Sequence, residues 1–364
     1  MSEEARKRRS NATISVFLAS CFLASCLLLP GEPCVPSWTI ALVGDVMLGR
    51  GVAQALDGDW EAAFAGVQPW LAGADLAFAN LESPLMTASP PLSSPPAGGT
   101  EGFSSPPAGV TEGFSSSPVG GTEGGLYDLR APPEAVAALR ATGFDLVSLA
   151  NNHALDAGGA GLRETVDTLR AAGVGALMGG ASAYSFPHLP TCYFLAFDDS
   201  VAPLDVEAAA EAVAAAVGRA GLVVVSIHWG GEYQAAPGPR QRAIARALAD
   251  AGARLIVGHG PHVLQRVEWV GETLVAYSLG NFLFDQPHPA DCCWGAILYV
   301  RFQGDRIVAV EPLPTVVARA RVRPAGPEDS AAILARLALG PVSSIQHPAS
   351  SIQYSVSSTQ ENTP

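Results

Sequence analysis

Five polar clusters, each placed directly after an apolar, β-rich run, constrain this chain more than any other feature. They read GDVML (Gly44 to Leu48), ANLE (Ala79 to Glu82), ANNH (Ala150 to His153), IHWG (Ile227 to Gly230) and GHGPH (Gly258 to His262). Continuous apolar runs of this kind read as parallel strands covered on both faces. Open α/β sheets bind ligands outside the carboxyl ends of their strands. Together the five clusters carry two carboxylates, several Asn and four of the seven His. The pattern predicts one site assembled from distant parts of the chain.

The spacing predicts strands over 38–43, 74–80, 144–150, 174–178, 193–197, 221–227 and 254–257. It predicts helices around 60–71 and over 132–142, 158–172, 205–219 and 239–251, with Gly173 and Gly252 as stop signals. Beyond 257 the rhythm changes to two hairpins, 266–270 with 273–278 across Gly271-Glu272, and 295–302 with 306–311. The fold class is therefore α/β with antiparallel strands added at its end. Three copies of an 11-residue unit, SSPPAGGTEGF (93–103), SSPPAGVTEGF (104–114) and SSSPVGGTEGG (115–125), interrupt the pattern. Their composition buries too little apolar surface to fold, so 87–125 is expected to be a disordered surface insert. The expected layout is an anchor and spacer over 1–36, one domain over 37–320, and an extension over 321–364, largely disordered after about 340.

Arg6, Lys7, Arg8 and Arg9 precede an apolar stretch from Ile14 to Leu29. That is the form of a signal peptide or short signal anchor. Leu-Ala-Ser-Cys occurs twice, ending at Cys21 and Cys26, and resembles the lipobox of bacterial lipoproteins. The expected location is extracytoplasmic, with the bacterial membrane as a partner through a lipid on Cys26 or Cys21. A net charge of −13 excludes an electrostatic nucleic-acid footprint. It also disfavours anionic substrates unless a bound cation dominates the local field. No CxxC pair is present, so a cysteine zinc site is not expected; Cys34, Cys192, Cys292 and Cys293 could in part pair outside the cytoplasm but read as partly buried free thiols.

Each cluster has a plain and a chemical reading. Asp45 after Gly44 suits a hard divalent metal or a helix cap. Strand alternation sets Asn80 and Glu82 on one side, as site residues or as a solvated loop. Asn151-Asn152-His153 with Asp156 fits an Asx-turn, which leaves His153 without a task, or a metal-linked proton donor. His228 ends a very apolar strand and reads as a core His or a ligand; Trp229 and Glu232 after it read as a pocket wall. His259 and His262, on a turn held by Gly and Pro, can both face one metal, and imidazole suits Zn, Mn or Fe. Asn281 reads as a residue behind the ligands or as turn chemistry. Taken together, Asp, Glu, Asn and three His match a two-metal site of the kind that clamps a phosphoryl group.

With these residues set out, the chain resembles the CapA family of poly-γ-glutamate capsule synthesis proteins, within the calcineurin-like metallophosphatases. The resemblance rests on TIALVGDVMLGRGV, ADLAFANLESPL, GFDLVSLANNHALDAGGAGLRETVDTL, SIHWGGEY, IVGHGPHVLQ and YSLGNFLFD. It implies a four-layered α/β/β/α sandwich with mixed sheets. It implies Asp45, Glu82 (or Asn80), Asn152, His228, His259 and His262 as ligands of two divalent ions. His153 and Asp156 are then the catalytic candidates, and Arg50, Asn80, Asn151, Trp229, Glu232 and Asn281 the substrate-facing or supporting residues. It further implies an anionic polymer or phosphoester substrate and capsule synthetase components as partners. The sequence departs from the metallophosphatase pattern at Met47, where a His is usual, at NLE in place of GDxxD, and at Gly260, where many CapA relatives have His. A metal-dependent hydrolase or transferase acting on capsule polymer is the leading reading. A non-catalytic assembly or anchoring protein is the alternative.

Overall fold

A computed structural model describes residues 37–87, 128–184, 192–220 and 222–339. The N-terminal segment with Cys21 and Cys26, the 11-residue repeats and the tail beyond 339 lie outside the described residues. Alternation along the apolar runs sorts their side chains onto two faces. In β1 (Ser37–Val46) Ile40 and Leu42 join one core while Ala41 and Val43 join another. β2 (Leu76–Leu81) divides Leu76 and Phe78 from Ala77 and Ala79 in the same way. Both faces are covered, which explains why these strands read as unbroken hydrophobic runs.

Two sheets result. The first has eight strands in the order β14 (Arg321–Pro324), β13 (Arg306–Ala318), β12 (Trp294–Gln303), β1, β2, β3 (Leu146–Ser148) and β4 (Gly175–Leu177), with β11 (Asn281–Leu283) pairing β1. The second has six, in the order β5 (Gly180–Tyr184), β6 (Cys192–Asp198), β7 (Val223–His228), β8 (Leu255–His259), β10 (Thr273–Ala276) and β9 (Val267–Val270). Both are mixed: β1 to β4 and β6, β7, β8 and β10 run parallel within their sheets, while the strands from β12 onward and the edges β5 and β9 are antiparallel. The inner faces meet in a core that includes Phe78 stacked on Phe194 at 6.3 Å.

Helices cover the outer faces. α1 (Arg50–Leu56), α2 (Gln68–Leu71), α3 (Val136–Thr142) and α4 (Gly158–Ala171) lie on the first sheet, with Val52, Leu56, Leu71, Leu139 and Leu169 in its outer core. α5 (Val206–Ala220) and α6 (Pro239–Asp250) lie on the second through Val213, Ile244 and Leu248. The architecture is the expected four-layered α/β/β/α sandwich. α7 (Pro327–Leu337) sends Ile333 and Leu337 into the inner core beside β12 and β13. Packed structure thus continues past residue 320 through β14 and α7.

Three local expectations change. The stretch 60–71 is a 3-10 turn at Trp60–Ala63 and then the short α2, with a break at Gly66. β14 passes so close there that a Cβ on Gly66 would lie 2.6 Å from the Val322 carbonyl oxygen. α1 and β11 are additional elements, both formed beside the end of β1.

At that end the strand pairing carries a bulge. Leu42 pairs with Phe78 but Asp45 pairs with Asn80, three residues against two. One extra residue reverses the alternation, so Asp45 turns from the helix-covered face to the space between the sheets. Gly44 is the residue that permits this: a Cβ there would sit 1.9 Å from the Gly280 carbonyl oxygen of the neighbouring chain segment. Gly44→Ala is therefore expected to lower unfolding stability by about 3 kcal/mol or more, measured by urea denaturation. Gly218→Ala, in α5 with open space at its Cβ, is expected to stabilise by about 0.5–1 kcal/mol.

Candidate metal centre

The bulge at Asp45 meets four other strand ends. Asn80 continues the inward face of β2, and Glu82 follows two residues later on the same face. His228 closes β7 on the inward side set by Val224, and His259 closes β8 on the side set by Leu255 and Val257. The turn after β8 then doubles back through Gly260, at φ 104°. A Cβ at Gly260 would lie 2.9 Å from His228 Nε2, so this position excludes a side chain while those on either side of it converge. His262 completes the turn at φ 58°, a left-handed conformation that costs a non-glycine residue about 1–3 kcal/mol.

Asp45, Glu82, His228, His259 and His262 are each no more than 4% exposed. Asp45 Oδ1 lies 3.2 Å from His259 Nδ1 and its Oδ2 lies 3.2 Å from His262 Nδ1. Asn80 bridges the acids: its Nδ2 donates to Asp45 Oδ1 at 2.9 Å and to Glu82 Oε1 at 2.9 Å. Its Oδ1 in turn accepts from Asn151 Nδ2 at 3.0 Å. His228 Nδ1 is 3.7 Å from Glu82 Oε1. Asn281 Oδ1 lies 3.0 Å from His262 Nδ1, where it can accept the ring N–H and orient the imidazole.

The charges of this group conflict without a cation. Burial opposes charge on Asp45, but His259 and His262 outweigh it and hold the carboxyl well below the usual carboxylate range. Glu82 moves the other way, pushed well above that range by burial and then by the negative charge of Asp45. Burial drives His228 down to about 3, leaving it neutral and ready to ligate. On His262 burial also works against charge, yet Glu82 and Asp45 raise it to about 9.

The residues fit a divalent metal. Glu82 Oε2 and both ring nitrogens of His259 are buried with no hydrogen-bond partner; the 3.2 Å approach of His259 Nδ1 to Asp45 lacks hydrogen-bond geometry. Orphaned polar atoms of this kind are rare in folded proteins and call for a partner. Ligand atoms of Asp45, Glu82 and His262 lie within 4.8 Å of one another, close enough to share one ion. Carboxylate with imidazole suits Mn, Zn or Fe.

The remaining expected site residues divide. Asn152, expected as a ligand, is exposed and its amide meets His153 Nε2 at 3.0 Å. Asn151 takes the buried place instead, because its Oδ1 caps the backbone N–H of His153 and its Nδ2 reaches Asn80 and the Leu81 carbonyl. His153 stands at the rim, half-buried, with Nδ1 2.9 Å from Asp156 Oδ2. Trp229 is not a pocket wall. Being one residue past His228, it points to the opposite face, where it is buried against Tyr277 and donates to the Tyr277 carbonyl at 2.9 Å. Glu232 is exposed beyond the ligands. Arg50 forms a two-point pair with Asp285 and lies 5.9 Å from the Phe284 ring, which itself lies 5.0 Å from His262. Met47 fills the place of the usual His as a buried core side chain, its Sδ accepting from Gly49 N at 3.1 Å.

Sequence reasoning assigned no role to Asp285 or Gln286, which hold Arg50 and Asn281 in place. Asp285 closes the quoted YSLGNFLFD run and Gln286 directly follows it, and that position is the one signal that pointed to them.

The motifs now placed around one buried centre match the family profile described as bacterial capsule synthesis protein PGA_cap, over residues 39–108, 114–186 and 191–286. The chain belongs to this family. Capsule biosynthesis protein CapA of Bacillus anthracis is 29% identical over 301 residues, covering 76% of this chain and 67% of that protein. PGA biosynthesis protein CapA of Bacillus subtilis is 37% identical over 179 residues, covering 43% of this chain and 47% of its own length. A probable polyglutamine synthesis accessory protein of Mycobacterium tuberculosis is 26% identical over 239 residues, or 55% of this chain and 63% of that one. Among solved structures, a hypothetical protein from Thermus thermophilus aligns with 76% of this chain and 98% of its own at a TM-score of 0.43 and 18% identity.

A cation entering this PGA_cap centre would compete with protons. Glu82 is raised above the usual carboxylate range and His262 to about 9, so a cation that needs both in their deprotonated forms competes with protons for them. Affinity for Mn²⁺ is expected to rise from pH 6 to pH 8, by up to about tenfold per pH unit for each proton displaced. Calorimetry in buffers of different ionisation enthalpy should show that release; a pH-independent affinity would contradict it.

Proposed function

We propose that this chain is an extracytoplasmic capsule synthesis protein whose metal centre hydrolyses or transfers groups on the capsule polymer or its precursor. The observation that carries this reading is the buried constellation of Asp45, Glu82, His228, His259 and His262, with Glu82 Oε2 and the His259 nitrogens lacking partners. The names of the Bacillus relatives support the capsule context, and the chain spans 67% and 47% of their lengths. No helix among the described residues is long and apolar enough to cross a membrane. Attachment would therefore run through the N-terminal segment with Cys21 or Cys26.

A divalent ion held by these five side chains would polarise a phosphoryl or carbonyl oxygen and supply hydroxide near neutral pH. The chain provides the rest. His153 is the acid for the leaving group: Asp156 Oδ2, 2.9 Å from its Nδ1, orients the ring at the rim, with Nε2 beside the Asn152 amide. Asn281 orients the His262 ring, and Asn80 bridges the two carboxylates. Arg50, already paired with Asp285, adds little net charge and orders the rim.

The near-complete burial of the ligands favours a second reading, an assembly or anchoring protein whose metal is structural. Kinetics separate the two. His153→Ala is expected to keep its metal, by mass spectrometry, while losing about 10²- to 10⁴-fold in hydrolysis of bis-p-nitrophenyl phosphate. Asp45→Ala with His228→Ala is expected to lose both metal and hydrolysis. Full hydrolysis in that double variant would refute the catalytic reading. Metal binding without any hydrolysis, together with a lowered melting temperature on chelation, would establish the structural one.

A further inference from the structure

A cleft of about 470 Å³ opens beside the metal centre and includes none of its ligands. Its walls are two loops at the carboxyl ends of β6 and β7, and it is lined among others by Asp199, Ser200, Pro203, Gly230, Gln234 and Arg240. That volume lies within the range of small-molecule sites, about 300–1,000 Å³. One wall is bonded to a metal-centre residue, since Asp199 N donates to the His228 carbonyl at 2.8 Å. The other begins at Gly230, two residues after His228.

Both walls are held by groups the metal centre does not use. Gln241 and Gln265 are buried, and their amides form a chain: Gly238 N donates to Gln241 Oε1 at 2.9 Å, Gln241 Nε2 to Gln265 Oε1 at 3.0 Å, and Gln265 Nε2 to the Gln234 carbonyl at 2.7 Å. A satisfied buried network of this kind rigidifies what it touches. Gly230, at φ 79°, lets the loop lie against it: a Cβ there would be 2.8 Å from the Gln241 amide. On the opposite wall Asp199 accepts from Leu204 N at 2.8 Å and from Arg240 Nε at 2.8 Å, and Arg240 Nη2 reaches the Leu204 carbonyl at 3.2 Å. The guanidinium is thereby fixed through Nε and Nη2. Its Nη1 makes no hydrogen bond among the described residues.

We propose that this cleft is a binding subsite for a flexible acidic amide chain, seating the polymer on which the neighbouring metal centre works. It rests on the capsule reading above. Such a chain carries a carboxylate on each repeat, methylenes and amides. Arg240 Nη1 takes a carboxylate, in the manner of charge-assisted hydrogen bonds to a guanidinium. Val201, Pro203, Ala236 and Pro239, which also line the cleft, take the methylenes, and the exposed backbone of Gly230 and Gly231 meets the amides.

The test is calorimetric titration of the full chain with synthetic tetra-γ-glutamate. Wild type is expected to bind. Ala236→Trp, which fills the cleft from an exposed position, and Arg240→Ala are each expected to weaken binding by about tenfold or more. His228→Ala, which disables the centre but not the cleft, is expected to bind within about twofold of wild type. No binding by wild type, or binding by Ala236→Trp or Arg240→Ala as tight as wild type, overturns the proposal. Binding abolished in His228→Ala also overturns it, because the peptide would then be held by the metal centre itself. Phosphodiester hydrolysis measured on the same four proteins reports on the metal centre separately, so failure of that reading and failure of this one are distinguishable.

Discussion

A buried carboxylate held between two imidazoles is the interaction on which the rest of this structure depends. Asp45 sits with His259 on one oxygen and His262 on the other, at 3.2 Å each, and with the Asn80 amide against it. An isolated charge in such a place would be prohibitively costly. The surrounding backbone is built to prevent that isolation. Gly44 lets β1 touch the chain at Gly280, the bulge turns Asp45 inward, and Gly260 lets the turn after β8 close on His228. Removing any of these contacts separates the carboxylate from the groups that neutralise it.

The same grouping explains why the site is poised for a cation rather than satisfied without one. Two carboxylates share a volume from which water is excluded, and like charges so placed force one to take up a proton. Asp45 is held below the usual carboxylate range and Glu82 is pushed above it. A buried polar cluster balanced in this way contributes little to stability by itself. Its value lies in holding donor atoms in one arrangement. Asn80, Asn151 and Asn281 serve that end with amide bonds that do not titrate, and His153 with Asp156 stands at the rim where a reacting group can reach it.

The second sheet gives the centre its neighbour. β6 and β7 end side by side, so the loops leaving them share His228 as a common support. The buried Gln241–Gln265 amides and the Asp199–Arg240 pair fix those loops without drawing on the metal ligands. The cleft and the buried centre are thus shaped by separate sets of side chains while remaining adjacent.

How much of this was legible in the sequence follows from the range of each signal. Strand ends and their polar clusters are local features, since a two-residue alternation and a Gly or Pro beside a His or Asp are written in consecutive residues. They were enough for the α/β class, the five segments of the site and the identity of Asp45, Glu82, His228, His259 and His262. Which way a side chain faces past the end of a strand is not local. Asn151 and Asn152 are equivalent as letters, and only the Asx turn and the position of Asn80 choose between them. Trp229 was read as a wall although alternation from His228 sends it into the core under Tyr277. The bulge that aims Asp45 exists only against the register of β2, and the Asp285 and Gln286 contacts only because β11 is laid beside β1. By itself the sequence determined which residues are candidates for the site, because residue type and short-range spacing set donor atoms and turns. The tertiary structure alone decided which of them meet, because facing direction and burial are properties of paired strands and not of any one segment.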